Sequence, residues 1–141
     1  MKIYFAGAIR GGREETDIYN NIITHLSSKA EVLTEHVGSS ELTTIGETNR
    51  SDGEIFLRDM EWLQSADLVI AEVTTPSLGV GYELGIAEKL NIPVLCLYRP
   101  ITGKRLSAMI NGNEKFQCQA YQGFDEAKTH INNFLKQEQK A

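Results

Sequence analysis

Apolar and polar positions along the chain fall into alternating blocks, some short and strand-like, others with a helical repeat. Lys2 to Ala6 reads as a short apolar strand, and it ends in the glycine-rich run Gly7-Ala8-Ile9-Arg10-Gly11-Gly12. Ile18, Ile22 and Leu26 recur at every fourth position and predict a helix from Arg13 to about Ser28. Glu31 to Glu35 predicts a second strand around Val32 and Leu33, and Glu54 to Ala66 a second helix. Asp67 to Val73 and Pro93 to Tyr98 are apolar without alternation, as strands covered on both faces should be. Between them, Pro76 to Gly81 reads as a turn and Tyr82 to Leu90 as a helix. Leu106 to Ile110 predicts a short helix, Phe116 to Ala120 a last strand, and Phe124 to Lys136 an amphipathic helix with Ala127, Ile131, Phe134 and Leu135 inward.

Strands separated by helices imply an α/β fold: a Rossmann-like (flavodoxin-like), doubly wound sheet of five parallel strands. Residues 1–141 read as a single domain, with no repeat or linker. The polar stretch Gly38–Gly53 reads as a long loop, and whether it acts as a lid is open at this level.

Composition narrows the function. At 41% hydrophobic and 23% charged residues, the chain fills a core and is not disordered. No apolar run approaches the ~18 residues of a membrane span, and Met1-Lys2-Ile3-Tyr4-Phe5 opens no signal peptide. A net charge of -5 argues against a nucleic-acid partner, which calls for clustered Lys and Arg. Cys96 and Cys118 read as buried, reduced thiols rather than a metal or disulfide framework. His25, His36 and His130 lack ligand spacing, so no metal is expected. The expectation is a cytoplasmic protein, with the nucleus as the alternative in a eukaryote.

In open parallel sheets the ligand lies beyond the carboxyl ends of the strands, and two glycine-rich loops stand at that edge. Gly7 to Gly12 lacks both the dinucleotide fingerprint and the Walker spacing. It reads either as a plain strand-to-helix turn or as an anion nest, the latter favoured by Arg10 and Arg13. Ser77-Leu78-Gly79-Val80-Gly81 follows a middle strand; Ser77 is either an ordinary N-cap or part of a phosphate site at a helix N-terminus.

Two carboxylates break the apolar pattern. Glu83 shares a helical stripe with Ile86, Ala87 and Leu90, read as the buried stripe. Asp59 falls inside the arc of Ile55, Phe56, Trp62, Leu63 and Ala66. Each has a bland reading, Glu83 as a first-turn complement to the helix dipole and Asp59 as a helix-edge residue bonded to backbone. Together they suggest glycosyl chemistry, one carboxylate as nucleophile at an anomeric carbon and the other as acid or base. Tyr4, inside the first strand, needs a hydroxyl partner and is a candidate to orient one of them; its alternative is a core aromatic reaching solvent. Trp62 and Phe116 read as core, and Ser107 alone as a helix cap.

The segments YFAGAIRGGRE, LTEHV, RDMEWLQSADLVIAEVT, PSLGVGYELG, LCLYRP and LSAMI resemble those of the 2′-deoxynucleoside 5′-phosphate N-hydrolases, in the nucleoside 2-deoxyribosyltransferase superfamily. The resemblance runs from about Ile3 to Met109. It implies a homodimeric enzyme with no metal or cofactor, releasing the base from a deoxynucleoside monophosphate. It assigns Glu83 as nucleophile, Asp59 as the acid assisting base departure, and Tyr4 as the residue positioning nucleophile and sugar. Gly7, Ile9, Arg10 and Gly11 match the loop enclosing sugar and phosphate, and Ser77 and Gly79 the phosphate loop. Ser107 and Met109 match residues contributed to the neighbouring subunit's site. Ala8 departs from the pattern, standing where family members carry Ser, which touches substrate choice rather than reaction type. A ribonucleotide (CMP-type) N-glycosidase, a deoxyribosyltransferase and a non-catalytic nucleotide sensor are the alternatives.

Overall fold

The computed structural model describes residues 1–9, 13–36 and 50–140. Its elements are β1 (Lys2–Gly7), α1 (Arg13–Ser27), β2 (Glu31–Leu33), α2 (Asp52–Ser65), β3 (Leu68–Glu72), α3 (Leu78–Lys89), β4 (Val94–Tyr98), α4 (Ala108–Asn111), β5 (Phe116–Ala120) and α5 (Phe124–Lys140). All strand pairs are parallel, in the order β2-β1-β3-β4-β5. This is the five-stranded, doubly wound sheet expected from the sequence. Its strand order reverses between β1 and β3, so the loops leaving those two strands diverge and open a crevice. Among the described residues, no helix is long and apolar enough to cross a membrane.

Strand parity assigns side chains to faces. Ile3 and Phe5 of β1, with Leu68, Ile70, Leu95 and Leu97, pack against α1 and α5 through Ile22, Leu26, Ile131 and Phe134. Tyr4 and Ala6 point the other way, with Val69, Ala71 and Cys96, toward Leu63 of α2 and Leu84 and Ala87 of α3. Tyr4 is therefore aimed at the face that carries both anomalous carboxylates.

Local expectations change in α3, in α2 and at Cys118. The helix expected from Tyr82 begins at Leu78, because Ser77 caps it: the Val80 N–H donates to Ser77 Oγ at 3.2 Å. Gly79 and Gly81 thus lie in a first helical turn, where a good cap outweighs glycine's low propensity. The buried stripe of α3 is then Val80, Leu84 and Ala87, with Leu90 exposed and Glu83 half-buried at its border. On α2, Asp59, Leu63 and Ala66 are buried, but Phe56 is 49% exposed. α2 starts at Asp52 behind a capping box between Ser51 and Glu54, so the polar loop ends before Gly53; most of that loop, residues 38–49, lies outside the described residues. Of the cysteines, Cys96 is buried but Cys118, its neighbour in register on β5, is only half-buried, its thiol donating to the Ile110 carbonyl at 3.6 Å.

Candidate active site

A cleft of about 250 Å3 opens at the switch point, lined by Gly7 at the end of β1 and Ile9 beyond it, Glu35 after β2, Asp59 on α2, and Ser77, Gly79 and Glu83 around the start of α3. Asp59 and Glu83 come from different helices and share this cleft, whose other walls include Ile55, Phe56, Met60 and Tyr82.

The Tyr4 hydroxyl, on a side chain 1% exposed, donates to Glu83 Oε2. Burial pushes the Glu83 carboxyl up to about 7; the Tyr4 hydrogen bond pulls against it and nearby Glu35 pushes the same way. Burial and the Glu83 charge raise the Tyr4 hydroxyl, so it stays a neutral donor. Such a carboxylate is partly desolvated and held by one directed bond, which suits a nucleophile.

Asp59 is 5% exposed and is held by its sequence neighbour: Arg58 Nε and Nη2 lie 3.1 and 3.0 Å from Asp59 Oδ1. The guanidinium also lies 3.6 Å from Glu35 Oε1 and stacks 4.6 Å above the Trp62 ring. Trp62, half-buried, is thus both a core residue and a platform for Arg58.

Gly7 occupies a position that admits no side chain: a Cβ there would meet the Tyr19 ring at 2.9 Å. That close approach sets the exit of β1, where the Ala8 N–H donates to the Tyr19 hydroxyl at 3.1 Å and His36 Nε2 donates to the Gly7 carbonyl at 2.9 Å. Ala8 is buried and does not line the cleft, whereas Ile9 does. Arg10 and Gly11 lie outside the described residues.

Ser107 and Met109 are not in this cleft. Ser107 caps α4, accepting from the Met109 N–H at 3.2 Å, and both residues line a second cavity of about 410 Å3 that Ser77, Leu78 and Val80 also border. Leu78 and Met109 are 97% and 81% exposed.

A larger cavity of about 440 Å3 lies beyond β4, lined in part by Arg99, Lys104 and Arg105. It holds neither anomalous carboxylate. Its wall is braced by a polar cluster on the α1/α5 face. There, fully buried Glu72 accepts from the Thr74 N–H (2.8 Å), the Thr74 hydroxyl (2.9 Å) and the Tyr121 hydroxyl. Arg99 Nε lies 3.4 Å from Glu72 and its Nη2 pairs with Glu15.

Sequence reasoning missed Arg58, Glu35, Phe56 and Tyr82. Arg58 carried a usable signal, a cation four residues before Trp62 and beside Asp59. Phe56 and Tyr82 carried none, because their ring contact, 6.3 Å between centroids, joins two helices.

Fold and site together define an α/β protein that sets two carboxylates around an apolar cleft at the switch point of a parallel sheet. The profile of the family Nucleoside 2-deoxyribosyltransferase matches residues 3–132, and the chain belongs to that family. It is 55% identical over 113 residues to the 5-hydroxymethyl-dUMP N-hydrolase of Tetraodon nigroviridis, covering 79% of this chain and 80% of the relative. The Danio rerio protein of the same name is 47% identical over 139 residues, 96% of either chain. Among solved structures, the CMP N-glycosidase of Clostridium botulinum superposes with a TM-score of 0.68 at 18% identity, covering 94% of this chain and 99% of its own. At that identity the likeness speaks to the fold.

Proposed function

We propose that this N-glycosidase acts on 2′-deoxynucleoside 5′-monophosphates, releasing the base and 2-deoxyribose 5-phosphate through a covalent intermediate on Glu83. The observation that carries the reading is the Tyr4–Glu83 hydrogen bond in a cleft shared with Asp59. A Glu83 oxygen attacks C1′ as the bond from C1′ to the base nitrogen breaks, with positive charge building on the sugar. Asp59 gives its proton to the departing base. Water then attacks C1′ of the glycosyl ester, passing a proton back to Asp59 and freeing Glu83. The relatives named as hydrolases of a deoxynucleoside 5′-monophosphate support this substrate class.

The 5′-phosphate is placed against Ser77, Gly79 and the start of α3, where N–H groups and the helix dipole favour an anion. Gly7, Ile9, Arg10 and Gly11 are assigned to enclose sugar and phosphate. The active unit is a homodimer in which Ser107 and Met109 reach the neighbouring site. The exposure of Leu78 and Met109 beside Ser77 supports that arrangement, since large apolar side chains at such exposure favour a covering partner.

Base release from each deoxynucleoside monophosphate, measured beside the matched ribonucleotides and unphosphorylated deoxynucleosides, tests the reading. Release confined to the deoxy monophosphates is the expected result. Release from ribonucleotides overturns the sugar assignment, base exchange without net hydrolysis makes the enzyme a transferase, and no release from any overturns catalysis.

A further inference from the structure

Arg58 does not line the cleft, yet it is engaged beside it by Asp59, Glu35 and Trp62. Its side chain is 16% exposed and is bounded by the Trp62 ring, the Glu35 carboxylate and Asp59. Both of its bonds to Asp59 converge on one oxygen: Nε and Nη2 reach Oδ1 at 3.1 and 3.0 Å, and among the described residues no bond to Oδ2 is made. A guanidinium stacked on an indole presents its N–H groups in a fixed plane, so this contact sets the carboxyl's rotation as well as its charge balance.

The chemistry assigned to Asp59 needs both effects. As the C1′–nitrogen bond breaks, Asp59 passes a proton to the base and becomes an anion at a site only 5% exposed. An uncompensated buried carboxylate is costly, and a cation already in contact offsets that cost as the charge develops. With Oδ1 occupied by Arg58, Oδ2 is the oxygen left to carry the transferred proton. We propose that Arg58 is a positioning residue for base departure, turning Asp59 so that Oδ2 serves the leaving group and stabilising the carboxylate that results. The inference rests on the reading of Asp59 as the proton donor.

The experiment compares two substrates. One is a natural deoxynucleoside monophosphate, whose base needs a proton to leave; the other is a 2-deoxyribose 5-phosphate carrying 4-nitrophenolate, which departs as an anion without one. Arg58→Gln is expected to lower kcat on the nucleotide by about 10- to 100-fold with KM within about threefold, and to lower kcat on the nitrophenolate substrate by less than about threefold. Arg58→Lys, which keeps the charge but loses the planar fork, is expected to recover part of the loss with the same substrate dependence. Asp59→Asn is the control, and circular dichroism confirms that each variant is folded; if Arg58→Gln is not, Arg58→Lys carries the comparison. A purely structural arginine affects both substrates alike, so equal losses, or none, in the Arg58 variants beside a selective Asp59→Asn overturn this proposal and leave the reaction standing. An Asp59→Asn effect equal on both substrates overturns the assignment of Asp59 itself.

Discussion

The Tyr4 hydroxyl donates to Glu83 Oε2 across 79 residues of sequence, joining the second position of the first strand's buried run to the middle helix. This bond favours the charged form of a carboxyl that burial lifts to about 7. In the proposed reaction, attack on C1′ needs the carboxylate, so kcat/KM is expected to fall as pH drops through about 7. Tyr4→Phe removes the bond that lowers this value, so the acid limb is expected to move to higher pH, with a loss of about tenfold at neutral pH. A pH–rate profile checks it, and an unmoved limb counts against the pairing.

Glu83→Gln cannot form a glycosyl ester, and turnover is expected to drop by at least about a thousandfold. Stability is expected to move the other way. The folded-state value lies above the ordinary 4.5, so wild-type Glu83 contributes favourably when protonated, and that contribution is lost as pH rises through about 7. The amide variant is therefore expected to exceed wild type by about 1–3 kcal/mol above that pH, the difference vanishing below pH 4.5. Urea unfolding of both proteins across this range tests the sign.

For Asp59→Asn, loss of the proposed proton donor is expected to reduce kcat by about 10²- to 10⁴-fold. Substrate binding, followed by calorimetry on the inactive variant, is expected to remain.

Subunit sharing makes a quantitative expectation. On the proposed sharing of sites, Glu83→Gln and Ser107→Ala spoil contributions from different subunits, so one of the two sites in a mixed dimer would be whole. Random exchange of equal amounts is expected to restore roughly a quarter of wild-type activity from two weakly active proteins. No recovery after confirmed exchange rules out a shared site.

Away from the cleft, Glu72→Ala removes one partner each from Arg99, Thr74 and Tyr121 at a fully buried position. A loss of about 3–5 kcal/mol is expected, against about 1–2 kcal/mol for Tyr121→Phe. Chemical denaturation separates the two.

The burial of the Asp59 carboxylate was legible in the sequence, and for local reasons. A carboxylate at Asp59 among Ile55, Leu63 and Ala66 violates helical patterning within one element, and the structure finds it 5% exposed. Where the reading failed, a tertiary or capping contact outweighed local propensity. Gly79 and Gly81 suggested a turn, but Ser77 draws them into α3, and packing against the sheet buries Val80, Leu84 and Ala87 of that helix rather than the stripe through Leu90. Phe56 belongs to an apolar arc on a helical projection, yet it sits 49% exposed because the cleft, not the core, faces it.

Strand–helix alternation, the parallel five-stranded sheet and the two out-of-place carboxylates follow from local sequence, because periodicity and the cost of burying charge act over a few residues. That Tyr4 rather than Phe5 meets Glu83, that Arg58 and Trp62 secure Asp59, and that Ser107 lies apart from the cleft are results of tertiary packing. Those outcomes depend on strand parity, register and helix placement, which bring together groups that no local pattern couples.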